Sequence, residues 1–331
     1  MADRYGRRPV LLAGVGLYAL SGFAAAAASS PELLFVARLA QAFGGCAGLV
    51  IARAIVRDVS IQEDAARDLA KLNLIILIGP GIGPVLGGFI AGEAGWRAVL
   101  ALLGVLGLVN FAAIYRLLPE TGGPVRTGDR FGLRNYGGLL RSRRFMGYAV
   151  GGGCVTTTWY AYISAAPFIY QHEFGQSAAV TGIHLGIVVT GAWIGNLLAA
   201  RTATRVSTSR ILLGGHGLCA LMAVIFLGTM SWGASSPPLI TAIMFLYTCG
   251  VGFAGPAALA EAMEVDPGAI GSAAGLYGFA QMAAGAIAAA LASLGSNPGI
   301  SAGLILVAAA MVAQACLSLA AERRGRWAGG G

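Results

Sequence analysis

The sequence predicts an all-α polytopic membrane protein. Hydrophobic residues fill 57% of its 331 positions and charged residues only 11%, where a typical soluble domain carries about 25% charged residues. The apolar residues also fall into runs long enough to cross a bilayer, and the basic residues gather on alternate connections between those runs. Mean hydropathy is +0.75.

Ten windows have the length and composition of a helical span: 10–28, 32–56, 70–92, 97–118, 145–168, 178–202, 209–231, 238–262, 269–294 and 299–321. With Met1 placed in the cytoplasm, the connections on that side hold Arg4, Arg7 and Arg8, then Arg53, Arg57, Arg67 and Lys71. The seven arginines from 116 to 144 follow, then Arg201, Arg205 and Arg210, and last Arg323, Arg324 and Arg326. Of 22 basic residues only Arg97 on the far side and Arg38 inside a span fall elsewhere, which leaves 22 − 2 = 20 on one side. The positive-inside rule then puts both ends in the cytoplasm. The formal charge of +8 is thereby accounted for as topology. No nucleic-acid partner is expected, since no basic face is interleaved with aromatics.

The polar connection 119–144 is the longest break. It divides the chain into an incomplete four-span bundle (1–118), a cytoplasmic linker (119–144) and a six-span bundle (145–331). Sliding the sequence on itself by 201 residues sets MADRYGRRPVLLAGVGL (1–17) against TATRVSTSRILLGGHGL (202–218). Ala2/Ala203, Arg4/Arg205, Leu11/Leu212, Leu12/Leu213, Gly14/Gly215, Gly16/Gly217 and Leu17/Leu218 are identical. In the second half this basic loop follows two spans, so the repeat predicts two further spans ahead of Met1 in a complete first half. The expectation is ten helices of a six-plus-six protein. A chain starting at Met1 would insert but would not perform coupled transport.

Within the third window lies LIGPGIGPVLGG, with two prolines and five glycines in twelve residues. In water such a stretch reads as a turn. In lipid, where a frayed backbone finds no donor or acceptor, helix is kept and small residues serve close packing. Gly79, Gly83 and Gly87 recur every fourth residue and form one bare strip, while Pro80 and Pro84 each remove a helical hydrogen bond and bend the span. Two readings stand: a packing kink of the kind any polytopic protein uses, or a helix–helix gate.

Arg38 lies six residues beyond Glu32, about 9 Å deeper along the axis, where an unpartnered charge costs about 2.5–3.5 kcal/mol. Gln41, one turn on, shares its face. Either Arg38 snorkels to the interface, or it faces a cavity and responds to the protonation of a nearby carboxylate. Glu261 and Glu264 precede the helix-ending DPG and read as solvated interface residues, with a proton site as the alternative. His184 and His216 read as core histidines rather than relays. The five cysteines, without CxxC or histidine at ligand spacing, read as packing, and no metal is expected.

TTTWYAYIS (156–164) places three threonines and three aromatics in mid-span. Trp159, Tyr160 and Tyr162 are candidates for an aromatic wall that accepts flat, hydrophobic or cationic compounds by stacking. Ordinary helix packing is the competing account.

Several motifs carry a family resemblance. Asp3, Arg4, Gly6, Arg7 and Arg8 in ADRYGRRPVL resemble the loop signature between spans two and three of the major facilitator superfamily. Arg38 and Gln41 in RLAQAFGG resemble its fourth-span R-x-x-Q-G pattern, with Ala42 where glycine is usual. Gly79, Gly83, Pro84, Gly87 and Gly88 match the antiporter pattern G-x-x-x-G-P-x-x-G-G of the fifth span. LPET (118–121) resembles the end of the sixth, and YISAAPFIYQHEFG (162–175) resembles the seventh span of the bicyclomycin-resistance (Bcr/CflA) drug:proton antiporters.

The resemblance implies a major facilitator fold with ten of twelve helices present. It further implies multidrug efflux of small amphipathic or cationic compounds across a bacterial inner membrane, in exchange for protons, by alternating access. No cofactor is implied, the proton gradient supplying the energy, and a monomer is expected. The proline-and-glycine span would pack between the two halves and limit leakage, and the proton-carrying acid often lies in the first span. Two alternatives remain: a non-transporting remnant or interaction protein, and a membrane-embedded enzyme. The second would need clustered ionisable groups within the spans. No GxxxxGK loop occurs to couple transport to ATP.

Overall fold

The computed structural model describes residues 6–59, 65–121, 133–266 and 269–328, and every regular element among them is helical. The chain divides into two compact units, Met1–Arg130 and Phe131–Gly331.

The first unit is built on α1 (Arg7–Ala26), which packs along both α2 (Pro31–Val59) and α3 (Ala65–Leu117). Helix α3 holds the third and fourth sequence windows as two arms. Between them Gly95 adopts φ 79, ψ 167, a conformation open to glycine alone among common residues. Pro80 and Pro84 sit inside the first arm without ending it. Next to the Gly95 break, Arg97 lies over the Trp96 ring at 4.4 Å and donates through Nη2 to Ala28 O at 3.1 Å. That bond ties the break to the end of α1. The buried core here is small, Leu11, Ile51 and Ile55 with Ile114 and Leu118 packed on it.

The second unit starts with α4 (Leu133–Arg141), a short helix within the stretch that the sequence marks as a polar linker; it packs on the next helix through buried Leu139. The window 145–168 is a broken span: α5 (Arg143–Thr157), α6 (Tyr160–Pro167) and a π-helical turn, Phe168–Glu173. Its break lies in the threonine run. Thr156 and Thr158 each turn their hydroxyl back to the carbonyl four residues earlier, at 2.7 and 2.6 Å, a bond that bends helices. Ala161 N–H then reaches only to Thr158 O, a tightened turn. Pro167 ends α6, and beyond it Phe174 N–H bonds Ile169 O five residues back.

Helices α7 (Ala178–Thr202), α8 (Thr208–Ser231), α9 (Pro237–Met263), α10 (Ile270–Ala292) and α11 (Pro298–Ala328) complete the unit. Helix α9 is central, packed on α5, α7 and α8, while α5 also lies against α10 and α11. Eight helices among the described residues are long and apolar enough to cross a membrane. Helix α3 counts once for two windows and the broken α5–α6 span is not among them, which accounts for the ten sequence windows.

The internal repeat is visible in the packing, at a spacing of 201 residues for Gly14 and Gly215 and of 206 for Gly44 and Gly250 (250 − 44 = 206). A Cβ built on Gly215 would lie 2.7 Å from Gly250 O, and one on Gly250 would lie 2.7 Å from Gly215 O. In the first unit Gly14 and Gly44 make the same reciprocal crossing, at 3.2 Å to Gly44 O and 2.5 Å to Gly14 O. Gly44 and Gly250 each stand thirteen residues after the first residue of their helix, Pro31 and Pro237 (44 − 31 = 250 − 237 = 13). Close backbone approach of this kind is how helices associate where lipid tails compete with apolar side chains.

Candidate functional site

Asp3 and Arg4 of the loop signature lie outside the described residues. Gly6, Arg7 and Arg8 meet Glu120 of the LPET segment. The Glu120 carboxylate accepts the backbone N–H of Arg7 at 2.8 Å and that of Arg8 at 3.2 Å, so it caps α1 from more than a hundred residues away. Gly6 has φ 91, and a Cβ there would lie 2.7 Å from Glu120 Oε2. Both the backbone conformation and the space require glycine. Arg8 reaches back along the last turns of α3, its Nη2 donating to Tyr115 O at 2.6 Å with the guanidinium 5.5 Å over the Tyr115 ring.

Arg38 and Gln41 are joined, as their spacing predicts. Arg38 Nη1 donates to Gln41 Oε1. Gln41 is buried, 2% exposed, against Gly22 of α1, and its Nε2 has no hydrogen-bond partner among the described residues. Arg38 is exposed. The pair thus presents a cation beside an unused amide donor, a combination that attracts an oxygen acceptor.

Gly79, Pro80 and Gly83 are exposed, and Pro84, Gly87 and Gly88 are half-buried. A Cβ at Gly79, Gly83 or Gly87 would meet open space, and the exposed side chains of Ile78, Ile82, Leu86 and Phe89 border the strip. Among the described residues, no part of the first unit packs into it.

The three aromatic candidates do not share one open face. Trp159 and Tyr160 stack, with ring centroids 5.2 Å apart, and both are half-buried, Tyr160 lying against Gly285 of α10. Tyr162 is fully buried, edge-on to Phe226 at 5.9 Å with its hydroxyl 3.1 Å from Tyr170. Its ring is part of the unit's core and is not available as wall. The nearby threonines bond across helices, Gln281 Nε2 donating to Thr156 Oγ1 at 2.8 Å and Thr157 Oγ1 to Gln281 O at 2.5 Å. A cavity of about 420 Å³ opens beside them, lined by Cys154, Thr158 and the alanines of α10 and α11.

Two arrangements escape the sequence reading. Glu261, expected in solvent, is fully buried and accepts from Ser209 Oγ at 2.7 Å; α8 folds over the end of α9 and covers it. Second, Tyr162, Tyr170, Thr241 and His184 form one polar chain at the end of the unit opposite the α7–α8 connection. Tyr170 OH lies 2.7 Å from Thr241 Oγ1, which lies 2.8 Å from His184 Nδ1, and the His184 ring stacks on Tyr170 at 4.7 Å. Those residues come from four separate elements, and no spacing in the sequence joins them. Among the described residues there is no cluster of histidine, cysteine or carboxylate that could hold a metal.

The model of the Major Facilitator Superfamily matches residues 1–289. The chain belongs to that superfamily. It is 29% identical to YdgK, an uncharacterized MFS-type transporter of Bacillus subtilis, over 98% of this chain and 82% of that protein. It is 29% identical to the multidrug transporter MdfA of Yersinia pestis over 77% of this chain and 63% of MdfA, so the match spans under two thirds of that relative's length. With the multidrug resistance protein MdtL of Shewanella oneidensis it shares 26% over 87% of this chain and 72% of the relative. Among solved structures, a D-xylose-proton symporter superposes with a TM-score of 0.73 at 18% identity, covering 94% of this chain and 81% of the symporter. The nucleoside transporter NupG gives 0.73 at 16% identity, covering 96% and 85%. The superfamily chain has the major facilitator fold and is a multi-pass membrane transporter, not an enzyme.

Proposed function

We propose that this superfamily chain exports small amphipathic or cationic compounds in exchange for protons, by alternating access, from a bacterial inner membrane with both ends in the cytoplasm. The observation that carries the reading is the Arg38–Gln41 pair: a cation within a span, beside a buried amide Nε2 that lacks an acceptor. A carboxylate that alternates between charged and protonated states is the natural occupant, because Arg38 favours its charged form and protonation weakens that hold. The multidrug names of MdfA and MdtL support the substrate class. The half-buried Trp159–Tyr160 stack offers flat apolar surface to such compounds.

The same reading assigns the first unit a further span. In the second unit α5 lies over α9, with Gly152 against Ala258. Ala52 stands as far into α2 as Ala258 does into α9 (52 − 31 = 258 − 237 = 21), and here it lines an open groove of about 480 Å³ with Tyr18, Gly48, Gly107 and Ile114. A helix seated in that groove stands over α2, the helix that carries Arg38 and Gln41, and is placed to bring the carboxylate.

The test is export of a cationic dye from proteoliposomes under an imposed pH gradient, using residues 1–331 and the same chain extended by its upstream reading frame. Gradient-driven export by the extended chain, lost in Arg38→Ala at equal membrane abundance, is expected. Export by residues 1–331 alone would overturn the additional-span assignment and leave antiport standing. No gradient dependence in either form would overturn antiport.

A further inference from the structure

The geometry points to His184 as a proton-binding site at the end of the second unit opposite the α7–α8 connection, with Nε2 as the atom that takes the proton. Thr241 Oγ1 carries one proton and has three polar neighbours: Pro237 O at 2.8 Å, His184 Nδ1 at 2.8 Å and Tyr170 OH at 2.7 Å. When the hydroxyl donates to Pro237 O, its oxygen accepts from both Tyr170 O–H and His184 Nδ1–H. Tyr162 then donates to Tyr170 at 3.1 Å, and the tyrosine and imidazole donors converge on Thr241 with every proton used. That arrangement requires the Nδ1–H tautomer and leaves Nε2 with its lone pair.

Adding a proton at Nε2 breaks none of these bonds. The imidazolium keeps its Nδ1–H on Thr241, and its ring lies almost parallel to Tyr170, at 15° and 4.7 Å, where an aromatic face stabilises a cation. The histidine is half-buried, so protons have access to it. The groups around it are consistent with a cation. Tyr170 faces it from the π-helical turn, and Tyr162 adjoins through Tyr170. From α9 the neighbours are Thr241 and Pro237. His172 and Glu173 lie further along the turn and are exposed, His172 stacking on Phe168. His216, by contrast, is buried in α8, and its Nδ1 has no partner among the described residues.

The site rests on the antiport reading only for its role in transport; proton binding is measurable by itself. The 331-residue chain, labelled with 15N-histidine in lipid nanodiscs, is titrated from about pH 8 to about pH 5. Its three histidines are assigned by the loss of one signal set in His184→Asn. The expected result is a His184 signal with Nδ1 protonated throughout and Nε2 gaining its proton during the titration. In Tyr170→Leu half-protonation should need about tenfold more acid, through loss of the aromatic face. In Thr241→Val the neutral ring should change to the Nε2–H tautomer, an independent check if Tyr170→Leu does not fold. An Nε2–H tautomer in the unaltered protein, or a ring that stays neutral to the end of the titration, would overturn the site. Gradient-driven export with a non-titrating His184 refutes the site alone, whereas a titrating His184 without gradient-driven export refutes antiport alone.

Discussion

Glu120 holds the first turn of α1 by accepting the Arg7 N–H at 2.8 Å. Helices leave their first N–H groups without internal partners, and a carboxylate at that end satisfies them and meets the positive end of the helix dipole. Here the cap comes from the far end of the unit, just beyond α3, so one side chain closes the connection between the first and last helices of Met1–Arg130.

Replacing this cap should loosen that closure. Glu120→Ala is expected to cost about 1 kcal/mol, the usual worth of an N-cap, and Gly6→Ala about as much, because its Cβ would displace the Glu120 carboxylate. Thermal unfolding in detergent reads both. A double variant no worse than either single one would show the two acting through the same contact, and fully additive losses would argue against it.

Gly83→Leu should leave the melting temperature nearly unchanged, because a side chain at 83 meets open space, and should still impair transport. Val85→Leu, on a different face of the first arm, should impair neither. A fall in melting temperature for Gly83→Leu equal to the fall in activity would make the strip a matter of stability alone.

Thr156→Val keeps the shape of the side chain and removes the acceptor of Gln281 Nε2. Leaving that amide unpaired between α5 and α10 is expected to cost about 1–3 kcal/mol, seen as a lower melting temperature. Gln281→Leu in the Thr156→Val background should recover part of the loss, since it removes the stranded donor; a further drop would contradict the assignment.

Tyr162→Phe should cost about 0.5–1.5 kcal/mol for one buried hydrogen bond and should not alter which compounds are exported, since the ring is enclosed by Phe226 and Tyr170. Trp159→Ala should change the compound profile while moving stability less than Tyr162→Ala does. Equal profiles for Trp159→Ala and the unaltered protein would remove Trp159 from the binding surface.

Period and composition made most of the fold legible. The ten windows needed only apolar length, and the duplication was readable because Gly14 and Gly215 are glycine for one reason, a backbone crossing that excludes any side chain. Arg38 and Gln41 could be paired from sequence because three residues separate neighbours on a helix face. The sequence did not announce the break at Thr158, because a threonine run is compatible with a straight helix until its hydroxyls choose carbonyls over solvent. Tyr162 and Glu261 were misplaced for a common reason. Which side of a uniformly apolar helix faces inward is set by its neighbours, and an apolar solvent removes the polar stripe that would otherwise mark the outside.

The matched crossings at Gly14/Gly44 and Gly215/Gly250 make the molecule its own control. Gly14→Ala and Gly215→Ala insert the same methyl group at matching points of two copies of one design within a single polypeptide. What separates their effects is how closely each crossing packs and what surrounds it: α5 lies against one copy, and the other borders a groove. The difference between two point variants thus weighs a helix–helix contact without dismantling it.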